Sequence, residues 1–225
     1  MTLTRIERIL SAEVRLAEDN LALLQAMGIV AVHLQASPGA GKTLLILRTV
    51  ESLGRRLRLG IVQASLSLPA PPSPLDNLDL PCVQVYTGGR PGLDAGMFRD
   101  ALEQLPLADI DLLLVEDIGT LTPSPEHSPG IPLRAVVTSL PEGEECASRY
   151  PETFVHANAI VLNKLDLLPA LDFDRARFRQ AVRHLNPTAP LFEVSCRTGE
   201  GLEKWGDWLQ EEVEKRRQAG RSPGR

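Results

Sequence analysis

The sequence predicts an α/β fold in which a mostly parallel sheet is covered by helices on both faces. Stretches rich in Val, Ile and Leu recur along the chain, among them residues 29–36, 111–117 and 159–164. Segments with helical spacing lie between such stretches, for example residues 172–185. Nearly continuous apolar runs are typical of strands buried on both faces, and their alternation with helices is typical of a doubly wound, three-layer sheet. Ligands of such folds bind at the carboxyl ends of the strands.

The sequence predicts an N-terminal helix, seven strands and four further helices. Apolar residues recur near helical spacing from about residue 4 to residue 26, which predicts an amphipathic helix that Gly28 ends. Seven strands are predicted, at 29–36, 57–65, 82–87, 111–117, 134–140, 159–164 and 191–196. Further helices are predicted at 44–56, 97–105, 172–185 and 201–217. On the last of these helices, we expect Trp205, Trp208 and Leu209 to be core contacts.

Composition narrows the class of protein. With a formal net charge of −5 and a pI near 5.5, the chain lacks the basic footprint of a general nucleic-acid binder. Its first 20 residues contain acids and no apolar core, and no run approaches the roughly 20 apolar residues of a membrane span. The three cysteines are scattered, and we interpret them as small buried hydrophobes in a reducing cell. We therefore expect a cytosolic protein.

A proline-rich segment at residues 67–81 follows the second predicted strand. Its prolines forbid a regular helix or a central strand. We predict an exposed, mobile loop, which we number 69–81, at the position where P-loop GTPases commonly keep a switch segment. The role of this loop is not fixed by its sequence.

A phosphate-binding loop is predicted at residues 37–43, SPGAGKT, between a strand and a helix. Its glycines let backbone N–H groups turn toward phosphate oxygens, and the helix that starts near Lys42 directs its positive end at the anion. Lys42 is expected to reach the β- and γ-phosphates, and Thr43 to offer its hydroxyl to Mg²⁺. Ala36 stands where the usual motif opens with Gly, at a cost of about 1 kcal/mol if that backbone needs a positive φ. The predicted phosphate contacts are Ser37, Gly39, Ala40, Gly41, Lys42, Thr43 and Leu44. The alternative is a tight strand–helix turn with an exposed lysine.

A purine-reading loop is predicted after the strand at 159–164. Asn163, Lys164 and Asp166 form the NKxD pattern by which G-proteins read guanine. Asp166 offers two acceptor oxygens to N1–H and the exocyclic amine of guanine, and charge-assisted hydrogen bonds contribute about 1.5–3 kcal/mol each. Lys164 can lay its stem on the ring and Asn163 can tie the loop together. The backbone of Ser195, Cys196 and Arg197, where G-proteins often carry Ser-Ala-Lys, is expected to read O6. The alternative is that Asp166 merely begins a turn.

Two acids end the predicted strand at 111–117. Glu116 is expected to hold Mg²⁺, directly or through water, with Asp117 beside it among the catalytic residues. Gly119 can bring its N–H to the γ-phosphate. The alternative is a pair of solvated acids at a strand end.

Collinear matches along the chain make it resemble the HypB family, the nickel-insertion GTPases of [NiFe]-hydrogenase maturation. The matches include SPGAGKT, YTGG with LDAGM, VEDIGTL, EGEECASRYPETFVHA, LNKLDLLPALDFD and NPTAPLFEVSCRTGEGLEKWGDWL. The resemblance implies a SIMIBI-type P-loop G domain that dimerises with GTP bound and hands nickel to the hydrogenase large subunit, alongside other maturation factors. We divide the chain into an N-terminal helix (1–27), a GTP-binding domain (28–215) and a flexible tail (216–225).

The departures from the family pattern change the expected chemistry. Pro91 and Gly92 stand where the family carries the Cys-His pair of its metal site, and residues 121–123 replace the segment of a second family Cys. Since Pro and Gly have no side-chain ligand, nickel and zinc binding is not expected here. The stretch 63–65, Gln-Ala-Ser, replaces an acidic motif that helps to hold Mg²⁺ and organise water. We therefore predict slow hydrolysis, and we hypothesise that Arg90 supplies positive charge to the dimer or the phosphates where relatives hold a metal.

Three functions remain open from the sequence. The leading interpretation is a slow, Mg²⁺-dependent GTPase in hydrogenase metallocentre assembly. The alternative is a pseudo-GTPase that binds guanine nucleotide and scaffolds a maturation partner without metal transfer or significant turnover. A third is a nickel carrier with relocated ligands such as Cys82 or Cys146.

Overall fold

The computed structural model describes residues 2–68, 72–90, 92–118, 121 and 129–221, with side chains from residue 12 to residue 219. The helices are α1 (Thr2–Met27), α2 (Lys42–Leu53), α3 (Ala95–Gln104), α4 (Cys146–Arg149), α5 (Pro151–Val155), α6 (Arg175–Leu185) and α7 (Leu202–Arg221). The strands are β1 (Val30–Ala36), β2 (Leu59–Ser65), β3 (Cys82–Tyr86), β4 (Leu112–Glu116), β5 (Leu133–Ser139), β6 (Ala159–Asn163) and β7 (Leu191–Glu193).

The strands form one parallel sheet in the order β3-β2-β4-β1-β5-β6-β7. This arrangement confirms the predicted parallel α/β fold. The central strand β1 pairs with β4 on one side and β5 on the other. Because every strand runs in the same direction, the segments that follow β1, β4 and β6 meet at one edge of the sheet.

Alternate residues of the strands feed cores on the two faces of the sheet. On one face, Leu34 and Val137 pack in a single cluster with Leu45 of α2 and Trp205 of α7. On the other face, Leu24 of α1 and Phe98 of α3 pack over the β2–β4 region, and α4, α5 and α6 cover β5 to β7. Helices therefore cover both faces, as continuous apolar strands require.

The predicted core contacts of the last helix are confirmed. Trp205 and Leu209 are fully buried, and Trp208 packs partly buried against them. The Trp205 indole N–H donates to Thr49 Oγ1 of α2 at 2.9 Å. This bond satisfies the polar end of a buried tryptophan and fixes α7 against the helix that begins at the phosphate loop.

The structure corrects two boundaries. Helix α7 continues to Arg221, so the tail boundary predicted at residue 215 falls inside it, and Arg217 pairs with the buried Asp111 at 3.0 Å. The predicted strand at 191–196 ends at Glu193, because the N–H of Ser195 turns to the carbonyl of Glu200 at 2.9 Å.

The prediction of an exposed loop at 69–81 is wrong for three leucines in its second half. A 3₁₀ turn at Pro74–Asn77 buries Leu75 completely, while Leu78 and Leu80 pack against the core. Burying these leucines removes apolar surface from water, which outweighs the polar and proline-rich composition of the segment. Residues 69–71 lie outside the described part of the chain.

The short helices α4 and α5 were not predicted, since each is little more than one turn. Asn186 secures this region by donating its amide N–H groups to the carbonyls of Phe154 and Ala157 at 2.9 and 2.8 Å. No helix among the described residues is long and apolar enough to cross a membrane.

Candidate functional site

The phosphate loop lies at the carboxyl end of β1 and turns directly into α2. Gly39 and Gly41 take left-handed backbone conformations with φ of 80° and 98°, and Gly41 is the residue before the first turn of α2. Ala36 closes β1 without a positive φ, so the predicted cost of replacing the opening Gly does not arise. The loop therefore has the backbone geometry of an anion cradle at a helix N-terminus.

Lys42 is buried at the centre of this cradle. Its ammonium donates to the carbonyl of Ala36 at 3.3 Å, and only 9% of the residue is exposed. Burial lowers the pKa of Lys42, whereas the charges of Glu116, Asp117 and Glu142 oppose that shift. An exposed lysine on a simple turn, the alternative interpretation, is thus wrong. A buried cation beside an open cavity of ≈ 320 Å³, which Ser65 and Glu116 also line, is suited to an anionic ligand.

Thr43 and Glu116 place two oxygens side by side. The Thr43 hydroxyl donates to Glu116 Oε1 at 2.5 Å, and Gln63 Nε2 donates to Glu116 Oε2 at 2.7 Å. Glu116 is 6% exposed, so the alternative of a solvated acid does not hold for it. Hydroxyl and carboxylate oxygens are the ligands that Mg²⁺ takes in nucleotide sites, so this pair fits the predicted magnesium site.

Asp117 is oriented by neighbours on two sides. Its Oδ2 accepts from His33 Nε2 on β1 at 2.8 Å, and its Oδ1 accepts from the N–H of Ile118 at 2.7 Å. With both oxygens engaged, Asp117 holds the segment after β4 in place. Its catalytic role stays a prediction, and Gly119 lies outside the described residues.

Asn163 joins the phosphate loop to the loops that follow β6 and β7. Its Nδ2 donates to the carbonyl of Ala40 at 2.9 Å. Its Oδ1 accepts from the N–H groups of Lys164 at 2.7 Å and Cys196 at 3.1 Å. Asn163 is buried, and this bridge across 123 positions of sequence confirms that it ties the loop together.

Asp166 lies beside the loop after β7. Ser195 Oγ donates to Asp166 Oδ1 at 2.6 Å, and Arg197 Nη1 lies 3.8 Å from Asp166 Oδ2. Lys164, which lies two residues before Asp166, takes a left-handed conformation with φ 66°, which is uncommon for a residue with a side chain. The structure thus brings together Asn163, Lys164, Asp166, Ser195, Cys196 and Arg197. Contacts of the predicted residues Ser37 and Leu44 with nucleotide stay predictions.

Gly41 is predicted to tolerate no side chain. A Cβ there would lie 2.4 Å from Asn163 Nδ2 and would add the strain of a positive φ. Gly39 is a matched control, because its φ is also positive but nothing lies within 4 Å of its Cβ position. We expect Gly41→Ala to be about 1–3 kcal/mol more destabilising than Gly39→Ala, as overpacking typically is. The difference in unfolding free energy is measured from the urea midpoints of the two variants, provided that the dependence on urea concentration has the same slope. Equal midpoints would contradict the prediction.

A cluster of metal ligands is not found among the described residues: no three His, Cys, Asp or Glu side chains there converge as a metal site. Residues 91, 122 and 123, which replace family ligand positions, lie outside the described part of the chain. Arg90 makes an ion pair with Asp94, four residues on. Its proposed role at a dimer or at the phosphates stays a hypothesis.

The cysteines differ in exposure. Cys146 and Cys196 are buried, as predicted, whereas Cys82 is only partly buried. Burial raises the pKa of the Cys146 thiol and that of the Cys196 thiol to about 11. Metals bind the thiolate, so the raised pKa disfavours Cys146 as a nickel ligand.

We therefore expect Cys146 and Cys196 to resist alkylation in the folded protein at pH 8. Thiols with a pKa of about 11 hold roughly one thousandth of their population as thiolate at that pH, and burial also excludes the reagent. Peptide mapping after iodoacetamide should find Cys82 labelled first, and all three cysteines labelled in urea. Fast labelling of native Cys146 would restore it as a candidate ligand.

Comparison with known proteins places this geometry in a family. The family model described as "CobW/HypB/UreG, nucleotide-binding domain" matches residues 30–193. The chain belongs to the CobW/HypB/UreG family. The matched residues run from β1 to β7. The phosphate loop and the loop that contains Asp166 therefore both lie within the nucleotide-binding domain of the CobW/HypB/UreG family.

Curated relatives within the family carry the HypB name. The chain is 36% identical to "Hydrogenase maturation factor HypB" of Azotobacter vinelandii over 92% of its own length and 68% of that protein. It is 34% identical to the protein of that name from Escherichia coli K12, over 87% of this chain and 68% of the relative. The chain thus spans about two thirds of the length of these relatives.

Two solved HypB structures share the fold. HypB from Archaeoglobus fulgidus superposes with a TM-score of 0.82 at 32% identity, covering 90% of this chain and 99% of that one. HypB from Helicobacter pylori, solved in complex with nickel, superposes with a TM-score of 0.83 at 24% identity, covering 95% and 99%. The second likeness bears on the fold alone.

Sequence reasoning missed several residues of the site. His33 meets Asp117 from 84 positions away, and Arg48 reaches the carbonyl of Cys196 from 148 positions away. Glu142, after β5, accepts from the hydroxyl of Ser37. The fold creates these contacts, because it places β1 between β4 and β5 and brings α2 against the loop that follows β7.

Proposed function

We propose that this chain binds GTP with Mg²⁺ and hydrolyses it slowly, as a G domain that acts in assembly of the nickel centre of hydrogenase. The observation that carries the proposal is the Asn163 bridge. One buried amide holds the phosphate loop through Ala40 and the loop after β7 through Cys196. A nucleotide must contact both loops at once, and a rigid bridge between them fixes the spacing between its phosphates and its base.

Guanine fits the acceptor set of this pocket. Asp166 presents carboxylate oxygens, and guanine offers N1–H and an amine on adjacent atoms. Adenine has a lone pair at N1 and no amine beside it, so it would give the carboxylate neither of these hydrogen bonds, and bonds to a charged group contribute about 1.5–3 kcal/mol each. The expected preference for GTP over ATP can be measured by calorimetry in magnesium buffer, where equal heats and affinities for both nucleotides would contradict it.

Hydrolysis is supported by Lys42, Thr43 and Glu116. Thr43 and Glu116 would hold Mg²⁺, which neutralises phosphate charge when it is bound. Gln63 supplies an amide where related proteins have an acidic motif, and that amide donates to Glu116. Without a second carboxylate to organise water, turnover is expected to be slow.

Glu116→Gln should lower kcat for GTP by about 10- to 100-fold at fixed magnesium, which is about 1.4–2.7 kcal/mol, since it removes the charge of one proposed ligand of the ion that would stabilise phosphoryl transfer. The exposed Glu203 on α7 provides the same chemical change at a residue that makes no described contact with Thr43, Gln63 or Glu116, so Glu203→Gln is the control. The rate of phosphate release under saturating GTP gives kcat for both variants. An unaltered kcat for Glu116→Gln would remove Glu116 from the proposed machinery.

A pseudo-GTPase that scaffolds a partner is the second candidate. It is favoured by the engagement of both Glu116 oxygens with Thr43 and Gln63, and by the missing acidic motif. The pseudo-GTPase would be selected if calorimetry showed that GTP binds while phosphate release stayed at the rate of GTP in buffer alone.

The pathway is inferred from the relatives named hydrogenase maturation factor. We propose a nucleotide-bound homodimer in the cytosol, with other maturation factors or the hydrogenase large subunit as partners. Nickel is not proposed as a cargo held at the family position, because Pro91 and Gly92 offer no ligand. Stoichiometric nickel or zinc in protein purified without a tag would contradict that part.

A further inference from the structure

Arg48 makes a contact that the phosphate and base motifs do not account for. It lies on α2, six residues after Lys42, and its Nε donates to the carbonyl of Cys196 at 2.8 Å. Its Nη1 pairs with Glu51 at 2.7 Å. The side chain thus connects the helix of the phosphate loop to the loop that follows β7.

The contact fixes one peptide plane. The carbonyl of Cys196 and the N–H of Arg197 belong to the same planar unit and point in opposite directions. With the carbonyl held toward α2, that N–H points away from α2. A bond to a guanidinium also polarises the peptide, which makes its N–H a stronger donor.

The N–H of Arg197 is a free donor next to the base-reading loop residues. Ser195 N–H donates to Glu200, Cys196 N–H to Asn163 and Thr198 N–H to Ser195 Oγ. Within the described residues, the N–H of Arg197 has no hydrogen-bond partner. The Arg197 side chain comes to 3.8 Å from the carboxylate of Asp166, so this donor belongs to the residue next to the base-reading acid.

We propose that Arg48 is a positioning residue for purine recognition: by holding the Cys196 carbonyl, it aims the Arg197 N–H at the 6-oxo group. On guanine this oxygen neighbours the N1–H that Asp166 would accept, which matches a donor placed beside that carboxylate. The inference rests on the proposed function, because it assumes that guanine occupies the pocket.

Three variants isolate the contact. Arg48→Met keeps an unbranched side chain as far as the position of the arginine Nε and removes the donor. Arg48→Gln places an amide nitrogen at the same number of bonds from the backbone as the arginine Nε, and should restore the bond. Glu51→Gln removes the ion pair of Arg48 and keeps its donor, so it is the matched control.

Calorimetry in magnesium buffer with GTP, ITP and 6-thio-GTP reads the 6-position directly. ITP keeps the 6-oxo group and lacks the 2-amino group, whereas 6-thio-GTP keeps both donors and replaces the oxygen by a weakly accepting sulfur. We expect Arg48→Met to weaken GTP and ITP about three- to tenfold, the range of one net hydrogen bond, and to leave 6-thio-GTP within about twofold. Arg48→Gln should recover most of the GTP affinity, and Glu51→Gln should match the wild type.

The outcomes separate this inference from the proposed function. Equal losses for all three nucleotides would show a structural role and overturn the inference, as would an unchanged GTP affinity in Arg48→Met. Both results leave the proposed function standing. No heat from GTP with the wild-type protein would overturn both.

Discussion

Asp166→Asn is expected to weaken GTP binding by about 10²- to 10³-fold and to make XTP the better ligand. The change replaces one carboxylate oxygen by an amide N–H. That N–H faces the 2-amino donor of guanine, so one charge-assisted hydrogen bond of about 1.5–3 kcal/mol is lost and a donor–donor contact replaces it. Xanthine carries a carbonyl at that position, and the amide N–H can donate to it.

The surroundings of Asp166 make this substitution a clean test. Ser195 Oγ lies 2.6 Å from Asp166 Oδ1, and a hydroxyl can donate to an amide oxygen as well as to a carboxylate. The variant should therefore keep its fold and its loop. Competition of XTP and GTP for the variant measures the switch.

Ser195→Ala is the control for a mere disturbance of the loop. It removes the hydroxyl that orients Asp166 and should weaken GTP only modestly, without favouring XTP. If Asp166→Asn still preferred GTP to XTP, Asp166 would not be the residue that reads the base.

Local patterns predicted the parts of this molecule that depend on local chemistry. Residues 112–116 are all apolar except the final Glu116, and such a run forms a strand wherever both faces are covered. The phosphate loop likewise follows from Gly39 and Gly41, whose left-handed backbones few other residues adopt.

Features that depend on strand order were out of reach of the sequence. Nothing local says that β1 lies between β4 and β5, yet that placement creates the His33–Asp117 pair and the contact of Ser37 with Glu142. Similarly, the carbonyl of Ala40 can find Asn163 only because β6 runs parallel in the same sheet. Sequence reasoning gave the candidate residues but not the bonds between them.

The proline-rich segment shows where composition misled. Pro74 and its neighbours exclude a long helix, but the spacing of Leu75, Leu78 and Leu80 still buries apolar side chains through a single 3₁₀ turn. Burying a leucine gains about 1.5–3 kcal/mol, and the prolines already restrict the backbone of the unfolded chain, which lowers the entropy lost when the segment is ordered.

Lys42→Met is expected to weaken GTP binding by about 10²- to 10⁴-fold. The lysine is predicted to donate to the β- and γ-phosphates, and hydrogen bonds to charged groups contribute about 1.5–3 kcal/mol each. Two such bonds amount to about 3–6 kcal/mol, which corresponds to that loss in affinity. Methionine keeps the apolar stem that fills the buried position, so the loop should still form.

Burial makes this lysine worth more than a surface cation. The ammonium is already desolvated, which lowers its pKa, and three carboxylates lie around it. An arriving phosphate therefore meets a charge that water screens little. If Lys42 is replaced, the carboxylates of Glu116, Asp117 and Glu142 lose the cation that they surround and repel the triphosphate. The loss should therefore lie toward the upper part of the range.

Thermal unfolding with and without GTP measures the effect together with calorimetry. A ligand at one hundred times its Kd stabilises the folded state by about 2.7 kcal/mol, so the wild-type protein should gain several degrees and Lys42→Met almost none. Lys204→Met, on the exposed surface of α7, removes the same charge and should behave like the wild type. A Lys42→Met variant that GTP still stabilised as fully as the wild type would mean that triphosphate binds this fold without its phosphate loop, and the assignment of the cradle would have to be abandoned.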